Sequence, residues 1–306
     1  MIISKCPLRI SLVGGSTDLE SYLDTYQDGS IIGFPCDLYT YITLNKRNDE
    51  YYKINYSKDE YVKNPNDIIN DIAREVIIHF KLPPVTICFN ADIPSTGSGL
   101  ASSSSYLIAL ISAVNKYLNL NMSIIDICEL ALNIERKFNP LTGYQDPYGC
   151  GIGGFKRINF KKDSFKTNVS FEFLNSNILD KIFVSLIPTQ ITRSSSNILS
   201  TIDIHKSKNL MQDVTELNQS IINNNDNQFW KIINNAWEKK KQTSIDIINN
   251  ELILLENKIK NENSSILGMK LCGAGGGGYF LVFSKSKINN SIKISIDNFG
   301  VKTWKI

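Results

Sequence analysis

The chain has 306 residues, 42% hydrophobic and 21% charged, the balance of an ordinary folded protein long enough for one large domain or two with a sizeable core. Its 33 Lys and Arg against 30 Asp and Glu leave a formal charge of +3, too small and too dispersed to argue for nucleic acid or an acidic membrane surface, so a small-molecule partner is expected. Two histidines give little to a zinc site or a histidine-based triad, six scattered cysteines without a Cys-x-x-Cys pair point to free thiols, and no signal-type segment or ~20-residue apolar run occurs. A cytoplasmic protein is expected.

In chain order, residues 2–13 read as a strand that carries Arg9 and breaks at Gly14-Gly15, followed by Ser16-Thr17-Asp18 and a short helical pattern through Leu19, Tyr22 and Leu23. Asp18 fits a helix N-cap as well as a polar ligand contact. Residues 30–44 and 51–56 read as strands, residues 67–80 as a helix stopped by Pro83-Pro84, and residues 85–89 as a strand with Val85, Ile87 and Phe89 on one face.

The stretch from Pro94 through Thr96, Gly97, Ser98, Gly99, Leu100, Ala101, Ser102, Ser103 and Ser104 then opens onto a helix running to about Leu118. Glycines admit close backbone approach, serine oxygens bind phosphate or Mg2+, and a helix N-terminus favours an anion. A serine-capped helix behind a flexible loop explains the same residues.

Ser123 is a plausible N-cap for the next helix, with its apolar face at Ile127, Leu130, Ala131, Ile134 and Phe138; it ends near Glu135, which either pairs with neighbouring cations in solvent or serves a site. Residues 139–154 read as a glycine-rich, apolar loop around Asp146, either a general base or a turn former. Strands follow at 155–160, 169–173 and 182–187, and Arg193 stands between hydroxyls, able to fork onto a phosphate or to sit free on the surface. Residues 198–261 are helical with polar breaks. A short strand at 268–272, the tight loop Gly273-Ala274-Gly275-Gly276-Gly277-Gly278 and an apolar return strand at 279–283 complete the pattern, with domains expected at 1–174 and 175–306.

Neither glycine loop is a Walker A sequence or a dinucleotide fingerprint. Three separated motifs occur in fixed order: Pro7-Leu8-Arg9-Ile10 with Gly14-Gly15-Ser16-Thr17-Asp18, then Pro94 with Gly99-Leu100-x-Ser102-Ser103, then Lys270-Leu271-Cys272-Gly273-Ala274-Gly275-Gly276. Together they resemble the GHMP kinases. The Gln145-Asp146 pair, the Ile191-Thr192-Arg193 loop and Trp237-Glu238-x-Lys240 look like the branch that phosphorylates D-glycero-D-manno-heptose 7-phosphate at its anomeric hydroxyl, for nucleotide-activated heptose and surface polysaccharide.

The resemblance implies an α+β protein of two domains, the first like ribosomal protein S5 domain 2 and the second ferredoxin-like with added helices. It implies ATP and Mg2+, with residues 94–104 wrapping the nucleotide phosphates, and Ser103 and Glu135 holding the metal. Asp146 becomes base or electrostatic orienter of the sugar hydroxyl, and Arg9 favours the developing alkoxide. Gly15, Ser16, Thr17 and Asp18 would meet the sugar, Arg193 and Lys240 its existing phosphate, and Gly273, Ala274, Gly275 and Gly276 the substrate side. A monomer or homodimer is expected, without nucleic-acid or membrane partners. Another sugar 1-kinase, fucokinase- or galactokinase-like, and a catalytically idle sugar or nucleotide sensor on the same fold are the alternatives.

Overall fold

Residues 28–46, rich in Ile, Tyr and Thr, form a 19-residue strand along which the larger sheet is assembled. The computed structural model describes residues 1–94, 97–192 and 195–306, apart from the side chains of 195 and 196. The first half holds β1 (Ile2–Val13), α1 (Glu20–Tyr26), β2 (Asp28–Lys46), β3 (Tyr52–Asn55), β4 (Asp59–Val62), α2 (Asp71–Phe80), β5 (Val85–Ala91), α3 (Ser102–Leu118), α4 (Ile124–Glu135), α5 (Gln145–Gly151), β6 (Lys156–Lys162) and β7 (Thr167–Phe173). The second half holds β8 (Phe183–Pro188), α6 (Ser195–Leu199), α7 (Ile204–Ser207), α8 (Leu210–Ile222), α9 (Asp226–Lys241), α10 (Asn250–Glu262), β9 (Ile266–Leu271), β10 (Tyr279–Ser284), β11 (Ile292–Lys293) and β12 (Lys302–Lys305). The α+β class expected from the motifs is the one observed.

β2 pairs antiparallel with β1 along most of its length, with β6 at its start and with β5 at its end. β3 and β4 extend the sheet beyond β5, β7 lies outside β6, and β12 closes the far edge beside β1. A second, four-stranded antiparallel sheet has the order β11-β8-β10-β9. The two halves share a core: Leu8, Ile10 and Phe34 of the larger sheet pack in one cluster with Leu186, Leu281 and Phe229. We propose a division of the chain near residue 175, with residues 302–305 returning to the first sheet.

α3 is buried nearly all round, from Leu107 through Ile111 and at Ala113 and Val114, as a helix through the centre of a domain must be. α4 starts with a reciprocal capping box between Ser123 and Asp126, so the N-cap expectation holds with an added partner. Two expectations are corrected. The helix at 67–80 starts only at Asp71, because Asn70 caps it and a 3₁₀ turn occupies Pro65–Asp67. The stretch 139–154 is not simply a loop, since its middle forms α5. The strands β4, β11 and β12 carry too short an alternation to stand out and exist through their partners. All six cysteines are free, five of them buried.

Candidate active site

β1 delivers Arg9 to the floor of a cavity of about 600 Å³ that opens between the Gly14 turn, the start of α3, the end of α4 and the start of α5. Arg9 is 6% exposed, and its Nε and Nη2 both reach Asp146 Oδ1, at 2.8 and 2.7 Å, while Nη1 donates to the Gly99 carbonyl at 2.7 Å. The Arg9 amide donates to Leu100 O, so one residue ties strand, phosphate-type loop and α5 together. Asp146 Oδ2 accepts no hydrogen bond among the described residues and remains for a ligand.

Gly97 and Gly99 take φ of 67° and 75°, and Ala101 caps α3 at φ 61° with no side-chain hydrogen bond. The serine-capped reading therefore does not hold: the serines follow the cap position rather than occupy it. The helix enters its first turn with its amides left for an anion. Ser98 and Ser102 bond each other at 3.0 Å, and Ser98 Oγ accepts from the Leu100 amide. Ser103 lines the cavity, whereas Ser104 is fully buried and donates to Glu135 Oε2 at 2.5 Å.

Glu135 is 2% exposed, which removes the solvated ion-pair reading. Burial raises its pKa to about 7, against the hydrogen bond from Ser104, with Asp146 adding repulsion. Among the described residues no group of three acidic, His or Cys side chains could hold a metal unaided. One carboxylate and one hydroxyl, both hard oxygen donors, suit a Mg2+ that takes its remaining ligands from phosphates and water.

Asp18 is not a helix cap either. Leu19 occupies that position on α1, and the Asp18 carboxylate accepts from the amides of Ser16 and Gln145 and from the Gln145 side chain. Burial lifts its pKa to about 6, helped by Asp146. Gly143 is required beside it, because a Cβ there would lie 2.0 Å from Asp18 Oδ2. Ser16, at φ 80°, accepts from Lys240 Nζ at 2.5 Å, so α9 reaches across to the Gly14 turn.

The cavity also brings in Gly15, Gly273 and Ala274. Thr17 departs from its expected placement: it is fully buried off the cavity, its hydroxyl donating to Gly14 O and Ser30 O to hold the turn. Gly275 and Gly276 also face elsewhere, toward Ile247. Pro94 and Leu100 do not line the cavity, and Leu100 belongs to the core. Thr96 and Arg193 lie outside the described residues.

Two groups of lining residues escaped the sequence reading. Tyr56, Phe89 and Tyr106, with Asn70 and Ile72, line one end of the cavity, the rings of Phe89 and Tyr106 meeting edge to face at 5.3 Å. They come from four separate segments, and only the apolar face of β5 hinted at one of them. Lys270, quoted in the third motif but given no role, donates to the carbonyls of Ser11 and Leu12 at 2.8 Å, and burial lowers its pKa to about 8.

Residues 50–154 match the family of GHMP kinases N terminal domains. A D-glycero-alpha-D-manno-heptose 7-phosphate kinase of Campylobacter jejuni is 28% identical over an alignment covering 100% of this chain and 99% of that protein. The crystal structure of a D-glycero-D-manno-heptose 1-phosphate kinase from Bacteriodes thetaiotaomicron superposes with a TM-score of 0.78 at 22% identity, covering 100% of this chain and 99% of that one. Lactococcus lactis galactokinase, complexed with galactose, gives a TM-score of 0.74 at 14% identity, covering 100% of this chain and 95% of that one. At those identities the two structures speak for the fold. With its motifs in the family's order and the fold shared along the whole chain, residues 50–154 of this protein belong to the family of GHMP kinases N terminal domains, and the chain as a whole is similar to kinases.

Proposed function

We propose that this sugar kinase transfers the γ-phosphate of ATP to the anomeric C1 hydroxyl of D-glycero-D-manno-heptose 7-phosphate, giving the 1,7-bisphosphate. The carrying observation is the convergence of Asp146, Arg9, Glu135 and Ser103 on one cavity beside the uncapped end of α3. The aromatic end at Tyr56, Phe89 and Tyr106 suits a purine, which puts the triphosphate along residues 97–103 and the acceptor toward Ser16 and Asp18. The acceptor oxygen attacks the γ-phosphorus, the bond to the β,γ-bridging oxygen breaks, ADP leaves, and the acceptor proton passes to Asp146 Oδ2. Arg9 stabilises the oxygen as it loses that proton, and the α3 amides hold the phosphate oxygens. Glu135 and Ser103 would hold Mg2+, which when bound would supply charge neutralisation for the leaving diphosphate.

An acceptor that already carries a phosphate accounts for a lysine at the acceptor end. Lys240 lines the cavity beside Ser16, and the name of the full-length Campylobacter jejuni relative agrees. We assign Arg193 to the same phosphate by its sequence position.

The test is ADP release across six- and seven-carbon sugar phosphates and the corresponding free sugars. The heptose 7-phosphate is expected to give the highest kcat/KM, and Lys240→Met to lower it about tenfold or more, as for loss of a charge-assisted contact, with free sugars little changed. A free hexose as preferred substrate, or equal loss on free sugars, overturns the assignment. Asp146→Asn is expected to cut turnover ~10²–10⁴-fold while leaving nucleotide-analogue binding within about twofold.

A further inference from the structure

Lys156 opens β6 and is 1% exposed, yet among the described residues it forms no ion pair. Its Nζ donates to Ile152 O at 2.5 Å and lies 3.4 Å from Gly154 O and 3.5 Å from both Gly149 O and Gly153 O. Four carbonyls at the C-terminal end of α5 and in the turn behind it thus surround one amine. Burial lowers its pKa from 10.5 to about 7; Cys150, Cys128, Cys6 and Asp297 are the titratable neighbours that act on it. A methionine would fill the same space without that desolvation cost, so the donors must have a use.

That use lies at the other end of α5. The helix has seven residues and begins without a side-chain cap at Tyr144, and so short a helix has little stability of its own. Its last carbonyls are the groups a helix leaves unpaired, and a hydrogen-bond donor among them satisfies them. Asp146 sits in the first turn, and Gly149, whose carbonyl faces Lys156, lies three residues on, with its backbone against the Arg9 stem. A Cβ on Gly149 would stand 3.1 Å from Arg9 Cβ and 3.3 Å from Cγ.

We propose that Lys156 is a positioning residue for phosphoryl transfer: by binding the carbonyls at the C-terminal end of α5 it fixes where that helix presents Asp146 and how closely Arg9 packs beneath it. This rests on the catalytic role proposed for Asp146. Displacement of a reacting group by about 1 Å costs up to ~10²-fold in rate.

The test is a double-mutant cycle of Lys156→Met with Asp146→Asn, measured as single-turnover ADP formation, with circular dichroism and nucleotide-analogue binding as folding controls. Lys156→Met alone is expected to lower kcat at least tenfold with KM for ATP within twofold, and to cost less than twofold further when Asp146 is already Asn. A folded Lys156→Met enzyme with kcat within threefold of wild type overturns the proposal, as does an equal fold-loss in both backgrounds, the mark of a general structural role. If Lys156→Met does not fold, Lys156→Gln, which keeps two donors without the charge, is carried through the same cycle with the same criteria. Full turnover by Asp146→Asn alone would instead overturn the base assignment on which the inference depends.

Discussion

Two glycine-rich loops that look alike in the sequence do different work in the fold. The loop from Gly97 to Ala101 leads into the N-terminus of a buried 17-residue helix and presents amides to the cavity. The loop from Gly273 to Gly278 joins two antiparallel strands, β9 and β10, and has no helix behind it. Two of its glycines, Gly273 and Gly278, are needed because the first loop lies against them, while Gly275 and Gly277 meet Ile247 and Ile191. A Cβ on Gly273 would stand 2.7 Å from Gly99 O, a Cβ on Gly99 would stand 2.7 Å from Cys272 O, and one on Gly278 would stand 2.5 Å from Ser98 O. Glycine content alone therefore cannot separate a ligand-binding loop from the loop that braces it. The next element along the chain can, a helix behind the first loop and a strand behind the second.

The sharpest way to break this comparison is to add one methyl group on either side. Gly99→Ala and Gly273→Ala each place a Cβ against backbone at positive φ, and each is expected to lower unfolding free energy by ~3 kcal/mol or more in urea titrations. Near-native stability of Gly273→Ala would show that the loops are not in mutual contact.

The strand leading into the bracing loop carries Lys270, whose amine in the folded state gives up its proton at about 8 while the unfolded chain holds it to about 10.5. In that window the unfolded state binds more protons, so stability rises with pH, by up to ~3 kcal/mol across the window. Lys270→Met is expected to remove that part of the rise, read as the wild-type-minus-variant difference in unfolding free energy between pH 8 and 10.5. A difference that does not change with pH would contradict it.

Ser103→Ala, which alters a side chain on the ligand-facing loop, is expected to lower kcat about tenfold to 10²-fold, ~1.4–2.7 kcal/mol, with stability unchanged and the Mg2+ concentration for half-maximal rate raised. Ser104→Ala as the more damaging change would move the metal contact to that residue. The smallest effect belongs to Gly276→Ala, where positive φ is the main obstacle: about 1 kcal/mol of stability and no more than a twofold change in kcat.

Much of the site was legible because its chemistry is carried by local motifs. Arg9 falls on a strand, Gly99 falls before a helix, Glu135 ends the next helix, and Asp146 follows at a fixed distance. Other parts were not legible because their determinants are distant. α5 has a glycine-rich, poorly helical sequence, and the amine that meets the carbonyls at its end, Lys156, comes from another element, β6. The aromatic end of the cavity is gathered from residues 56 to 106, and β12 is a four-residue strand that exists because β1 has an open edge. Thr17, grouped with its neighbours by position, is turned into the core by the very turn that aims Ser16 at the cavity.

Lys240 and Ser16 are 224 positions apart, and their hydrogen bond joins the second half of the chain to the first across the acceptor end of the cavity. A lysine ammonium carries three N–H donors, so an acceptor that takes Lys240 need not break this bond and can share the amine with Ser16. A phosphate dianion gains a charge-assisted bond there, whereas a neutral sugar hydroxyl gains little over water. The bond would then hold the amine in place for a charged acceptor before that acceptor arrives.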